Sequence, residues 1–468
     1  MDDALSKALE IAERRLGDYT QDLQDFIAIP SISGDEDYRQ DIGAAAVWVA
    51  ARLQRAGVPE VRAIDTPGLP VVVGRWQVDP GLPTVVIYGH YDVQPPDNLD
   101  LWGAPPFEPE VREGKVYGRG AAANKGGVLV AIQAVEAWAE SAGAPPVNVT
   151  FVIEGEEEIL SPNLPTFLRE HKELLAGDLA ISADGAQFGP DQPSLTVASR
   201  GMCACEVTVH GAAVDLHSGA YGGPVPNTLL ALARILTGLH DINGRVAVPG
   251  FYDNVIDPSD AVRDAVGNIP FDPEKQRRAL GLSAWSGEAG YTPQERMWLR
   301  PTLDANGMAG GFQGDGIKTV LPATAGAKIS CRLVPDQDPE RILGAIETFV
   351  HDRAPEGVRV DVTRLPGAAR AYAVPLDHPA LEVAARSMAA VYGKRPFPMW
   401  VGATVPAAEE FTRILGMTCL YFAFAEFDNA QHAPNEFYRI ETLRRGTAAT
   451  IRLLAGLPGT ALPAPKEA

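Results

Sequence analysis

Residues 84–95 read Thr84-Val85-Val86-Ile87-Tyr88-Gly89-His90-Tyr91-Asp92-Val93-Gln94-Pro95. The apolar run 84–87 is of the kind buried on both faces of a parallel sheet, and it delivers a His and an Asp two residues apart. At the C-terminal tip of such a strand the imidazole of His90 can face the crevice of an open α/β sheet, with the carboxylate of Asp92 close enough to orient it. That is one corner of a metal site. The other corners have to come from elsewhere in the chain.

Upstream, residues 4–28 space Leu5, Leu9, Leu16, Leu23, Phe26 and Ile27 among charges, which predicts one amphipathic helix ending before Ile29-Pro30. Residues 44–56 repeat the pattern and stop at Gly57. Downstream, Gly118-Arg119-Gly120-Ala121-Ala122-Ala123-Asn124-Lys125-Gly126-Gly127 is a small-residue turn into an apolar helix over 128–142. A second buried strand, 147–153, ends in Glu154-Gly155-Glu156-Glu157-Glu158. Carboxylates crowded at a strand tip repel one another unless cations or protons relieve them, so this cluster reads as part of a site. A third strand, 179–182, ends at Asp184, and a fourth, 419–424, precedes a loop carrying His432.

Four strand tips therefore carry His90, Glu158, Asp184 and His432. If the strands share one parallel sheet, these residues converge outside its carboxyl edge, where two imidazoles and two carboxylates suit zinc or manganese. Glu157 is then placed to act as a base on a water. Between them the texture changes: from about residue 199 the chain alternates apolar and polar residues, as antiparallel sheet does. A helix over 229–239 and a long polar segment to about 300 follow, and then a strand 327–334, a helix 339–350 and a strand 358–362. The expected organisation is α/β for residues 1–198 and 376–468, with an inserted α+β domain at 199–375.

Length and charge bound the remaining classes. The 468 residues suffice for two cores, and 46% hydrophobic with 21% charged is ordinary for a soluble globular protein. A net charge of −20 repels nucleic acid and anionic membrane alike. No apolar run is long enough to span a bilayer, and the N-terminal Met1-Asp2-Asp3 is acidic where a signal peptide is basic, so a cytoplasmic location is expected. The four cysteines, Cys203, Cys205, Cys331 and Cys419, are too scattered for a disulfide framework or a zinc knuckle and read as buried thiols.

These motifs together resemble the M20 metallopeptidases, the dipeptidase, carboxypeptidase and aminoacylase group. The likeness also takes in Asp215-Leu216-His217-Ser218-Gly219, Lys318-Thr319-Val320, Arg332-Leu333-Val334-Pro335 and His432-Ala433-Pro434-Asn435-Glu436. It implies a zinc-exopeptidase-like catalytic domain with a mostly parallel central sheet, and a lid domain that carries homodimer contacts. It implies amide hydrolysis in a dipeptide or N-acyl amino acid by metal-activated water, with zinc first and manganese or cobalt as alternatives. Under this resemblance His90 and Asp184 hold one metal and Glu158 and His432 the other; Asp92 orients His90, and Glu157 is the general base. His217 resembles the histidine that stabilises the oxyanion in the partner's site, Arg332 the arginine that holds the substrate carboxylate, and Asn306 an asparagine near the substrate. An Asn306-Gly307 turn is the alternative reading of that last position.

Two departures stand out. Where the family has two consecutive acidic residues, the first bridging both metals, this chain has Ala123 and Asn124. A methyl group has no lone pair, so a stable dinuclear centre is not expected. In Pro398-Met399-Trp400-Val401-Gly402-Ala403-Thr404-Val405-Pro406, Trp400 and Val401 replace a charged pair and Thr404 takes the hydroxyl position. That favours a bulky or aromatic substrate. The alternative to the hydrolase is a divergent member with an impaired or absent dinuclear site: a metal-independent amidase, a binding protein, or an engineered inactive variant.

Overall fold

Three strands carry the centre of the first unit, and each is buried along nearly its whole length: Thr84–His90, Asn148–Glu154 and Leu179–Ser182. In the computed structural model, which describes residues 2–465, they belong to a six-stranded sheet. Its order is Glu60–Ile64, Val71–Trp76, Asn148–Glu154, Thr84–His90, Leu179–Ser182, Cys419–Tyr421. Thr84–His90 runs parallel to both neighbours and Leu179–Ser182 runs parallel to Cys419–Tyr421, while Val71–Trp76 runs antiparallel to both of its neighbours. The sheet is therefore mixed, with its parallel part where the candidate residues lie. Because those strands point the same way, their carboxyl ends share one edge.

The Gly126–Ala142 helix is buried on every face from Gly126 through Trp138, Gln133 and Glu136 included. It packs with the Asp2–Arg14 and Ile440–Gly456 helices, and the latter packs on Pro379–Tyr392. The predicted single N-terminal helix is two, Asp2–Arg14 and Leu16–Ile27. Apolar spacing alone does not register such a break, because both helices keep the same helical period. The Arg39–Arg55 helix ends at Gly57, whose φ of 92° is the left-handed conformation that favours glycine.

The second unit comprises residues 198–373 and 400–406. Its four-stranded antiparallel sheet runs Thr302–Gly310, Thr324–Leu333, Gly201–His210, Arg359–Arg364. Strict alternation along Gly201–His210 turns Cys203, Cys205, Val207 and Val209 into a core shared with Ile235, Ile342 and Ile346 from the helices Thr228–Thr237 and Pro339–Arg353. None of the four cysteines is in a disulfide, and all are buried. The segment read as merely polar up to residue 300 contains the helices Asp260–Gly267, Pro273–Ala279 and Pro293–Trp298. Their start signals were in the sequence: Ser259, Asp272 and Thr292 each cap the first turn, and Thr292 with Glu295 forms a capping box.

Residues 400–406, placed by chain order with the α/β domain, pack instead with the second unit. The Arg200 amide donates to the carbonyls of Val401 (3.3 Å) and Ala403 (3.1 Å), and its guanidinium Nε donates to that of Gly402 (3.2 Å). No helix among the described residues is long and apolar enough to cross a membrane.

Candidate metal centre

His90 is the last residue of its strand and is 1% exposed. Its Nδ1 lies 3.1 Å from the Asp92 carbonyl oxygen and 3.2 Å from Asp92 Oδ1. Two acceptors at Nδ1 keep the proton there in the neutral ring and leave the Nε2 lone pair available to a cation. Asp92 is fully buried and also accepts the amides of Glu157 (3.3 Å) and Glu158 (3.0 Å). One carboxylate thus fixes the ring at one strand tip and the backbone turn at the next.

His90, Glu157 and Asp184 each bring a ligand atom within 4.8 Å of the others. Glu158 pairs with His432, Oε2 to Nε2, at 3.2 Å, and accepts from Gln94 Nε2 at 3.0 Å. Its other oxygen is buried with no hydrogen-bond partner. The group around His90 and Asp184 therefore includes Glu157, expected as a free base, and not Glu158.

Burial pushes the Glu157 carboxyl well above the usual range, with His90 opposing and Asp184 and Glu158 adding to it. Burial raises Asp184 as well, again against His90. For His90 burial works against the charged ring, but the carboxylates of Asp92, Glu157 and Asp184 outweigh it and hold its pKa well above the ordinary value. His432 is raised by its hydrogen bond to Glu158.

The remaining carboxylates of the cluster do other work. Glu154 accepts from the Tyr88 hydroxyl (2.6 Å) and the Ser161 hydroxyl (2.9 Å), and burial pushes it up to about 7. Glu156 accepts the Leu69 amide (3.0 Å) and Asn163 Nδ2 (2.9 Å). Only half of the acidic run belongs to the site.

Position 123 presents a methyl group, 6% exposed. Asn124 is turned to the backbone: its Nδ2 donates to the Ala183 carbonyl (2.9 Å) and its Oδ1 accepts the His90 amide (3.4 Å). The donor set fits one divalent cation at His90 and Asp184, with Glu157 close enough to act on a water beside it, and the orphaned Glu158 oxygen marks a further unsatisfied acceptor. It does not fit a carboxylate-bridged pair, since neither residue offers the bridge.

Sequence reasoning assigned no role to Glu436. It is fully buried and accepts from Arg119 Nη1 (2.8 Å) and from the amides of Gly120 (2.9 Å), Ala122 (2.8 Å) and Ala123 (3.0 Å). Lys125 was missed as well. It is buried, donates to the carbonyls of Phe26 (2.8 Å) and Ile29 (2.7 Å), and is pulled down by burial to about 7. Both hold the turn around Ala123 and Asn124. A buried acid or lysine in a Gly/Ala-rich context was the available signal.

In the second unit Arg332 Nη1 donates to Thr404 Oγ1 at 2.8 Å. Trp400 is 7% exposed, so most of its ring is packed away from solvent. Asn306 lies within the Thr302–Gly310 strand at a bulge between Ala305 and Gly307, so the turn that was its alternative reading is not formed. His217 is exposed; its Nδ1 accepts the Gly219 amide at 3.0 Å, which leaves Nε2 as the protonated nitrogen of the neutral ring, 3.5 Å from Thr319 Oγ1.

The model of peptidase family M20/M25/M40 matches residues 86–456. The chain belongs to this family. The M20 likeness carried by the motifs is thereby borne out, as is its α/β fold with an additional α+β domain. This M20 chain is 29% identical over 458 residues to the Cys-Gly metallodipeptidase dug1 of Schizosaccharomyces pombe, covering 95% of this chain and 96% of that protein. It is 28% identical to the human Beta-Ala-His dipeptidase, covering 92% and 88% respectively. Among solved structures, human carnosine dipeptidase 1 superposes with a TM-score of 0.79 at 28% identity, over 97% of this chain and 98% of that one. The M20 metallo-carboxypeptidase Sso-CP2 of Sulfolobus solfataricus does so with a TM-score of 0.82 at 28% identity, over 94% and 98%. The M20 family is a family of peptidases, so the chain is an enzyme of hydrolase type by membership.

Proposed function

We propose that this M20 chain hydrolyses the amide bond of a dipeptide or N-acyl amino acid with a divalent cation, zinc first, held by His90 and Asp184, with Glu158 and His432 as the remaining ligands and Glu157 left free as the base. The observation that carries the proposal is the convergence of His90, Glu157 and Asp184 within 4.8 Å at the carboxyl edge of parallel strands. The dipeptidase names of the relatives support the substrate class.

A bound cation would supply a Lewis acid at the scissile carbonyl and lower the pKa of a water nearby. Glu157 takes the proton of the attacking water and returns it to the leaving nitrogen. Asp92 keeps His90 in the tautomer with a free Nε2. Arg332 holds the substrate carboxylate, and Thr404 braces its guanidinium. The protonated Nε2 of His217 is suited to an oxyanion; by the family resemblance the chain is a homodimer in which His217 of the partner subunit plays this part. Asn306 and Trp400 border the substrate under the same reading.

The methyl of Ala123 favours a second reading, a divergent member that binds a peptide without turnover. Metal content per chain, measured with hydrolysis of dipeptides and N-acyl amino acids before and after chelation, separates the two. Turnover that chelation abolishes and added zinc, manganese or cobalt restores supports the hydrolase. Turnover indifferent to chelation, or none with metal bound, overturns it.

A further inference from the structure

Beside Arg332 the second unit contains a pocket of about 510 Å³. Thr302, directly opposite Arg332 across the antiparallel pair, lines it, as do Arg200, Asp304, Trp285 and Arg296. That volume falls within the range of small-molecule sites.

Its charges are unbalanced. Arg300, also in the wall, is neutralised by Glu288 (2.8 Å) and Asp257 (3.0 Å), and Glu288 takes Arg245 as well (2.8 Å), so those four cancel. Arg200 and Arg296 have no carboxylate within ion-pair distance among the described residues, and Asp304 has no cation within it. The remaining lining is therefore one negative charge short of neutrality.

Its hydrogen bonding is unbalanced in the same sense. Arg200 spends Nε on the Gly402 carbonyl and Nη1 on the Arg300 carbonyl (3.3 Å), leaving Nη2 with no acceptor among the described residues. Trp285 Nε1 and Arg296 Nε are buried donors without a partner. Donors left unpaired in a low-dielectric wall are costly, and an anionic acceptor relieves them. Burial, with the nearby Arg332 and against Asp304, pushes the Arg200 guanidinium down to about 10.

We infer that this pocket is the subsite for the side chain of the residue whose carboxylate Arg332 holds, and that it selects an acidic side chain, with Arg200 as the residue that reads it. The inference rests on the proposed role of Arg332. It deepens the hydrolase reading by naming the carboxyl-terminal residue of the substrate: glutamate or aspartate.

The test compares kcat/KM of the metal-loaded chain on alanyl-glutamate, alanyl-glutamine, alanyl-phenylalanine and alanyl-glycine. Glutamate should lead glutamine by about tenfold, the scale of one partly desolvated charge-assisted pair. Arg200→Met should bring that ratio to about one. Because Arg200 also holds residues 401–403, Arg296→Met is measured beside it and should lower the ratio several-fold. Binding of free glutamate and free glutamine, followed calorimetrically, reads the pocket without turnover. No hydrolysis of any peptide, with glutamate still preferred in an Arg200-dependent way, would sink the hydrolase and leave the pocket standing. Turnover with phenylalanine or glutamine at least as good as glutamate, or a ratio unmoved in both variants, overturns the inference while sparing the hydrolase.

Discussion

Replacing Glu436 by Ala should destabilise the protein more than any other single change near the centre. Its carboxylate is fully buried and so is Arg119, at 1% side-chain exposure, with 2.8 Å between Oε2 and Nη1. Removing one partner of such a pair costs about 3–5 kcal/mol, because the other charge stays buried and unpaired. Arg119 keeps only a 3.3 Å bond to the Pro95 carbonyl and the face of Trp102, 5.4 Å from its guanidinium carbon. The amides of Gly120, Ala122 and Ala123 lose their acceptor too, at about 1–3 kcal/mol each if nothing replaces it. Water entering the space recovers some of this, so the losses do not simply add, and a total of at least about 5 kcal/mol is expected. That is comparable to the whole stability of many domains. Glu436→Gln keeps the volume and one acceptor oxygen and should lose about half as much. Urea unfolding followed by tryptophan fluorescence gives both values, and Arg119→Met alone and combined with Glu436→Gln gives the coupling. A loss below about 1 kcal/mol for Glu436→Ala would refute the idea that this carboxylate organises the turn.

Under the proposed metal reading, Ala123→Asp should raise the zinc held per chain from one to two, read by metal analysis after dialysis; an unchanged stoichiometry would mean the other ligands have diverged. Asp92→Asn should weaken zinc binding about 10- to 100-fold in chelator competition, since the residue orients His90 and the Glu157–Glu158 turn. Glu154 titrates at about 7 in the fold against 4.5 ordinarily, so its protonated form is the one that the fold favours. That contribution, about 3 kcal/mol, is complete below pH 4.5 and is lost as pH climbs through about 7. Glu154→Gln should therefore flatten the fall in unfolding free energy between pH 5 and 8, in that order of magnitude; an identical slope in both proteins would show that Glu154 does not carry it.

The sequence by itself determined the buried strands and their tips. Runs such as Val85–Ile87 and Phe151–Ile153 are continuous and apolar because parallel strands are covered on both faces, and that texture placed His90, Glu157, Glu158 and Asp184 at strand ends. Alternation along Gly201–His210 marked the second unit for the converse reason, one face buried and one open. What only the tertiary structure decided lies across long stretches of chain. Glu436 satisfies amides more than 300 residues away, Arg200 gathers residues 401–403, and Glu157 rather than Glu158 joins His90 and Asp184. Local periodicity records which face of an element is buried. It does not record which distant carboxylate or carbonyl will meet an unpaired donor, because that depends on the path of the whole backbone.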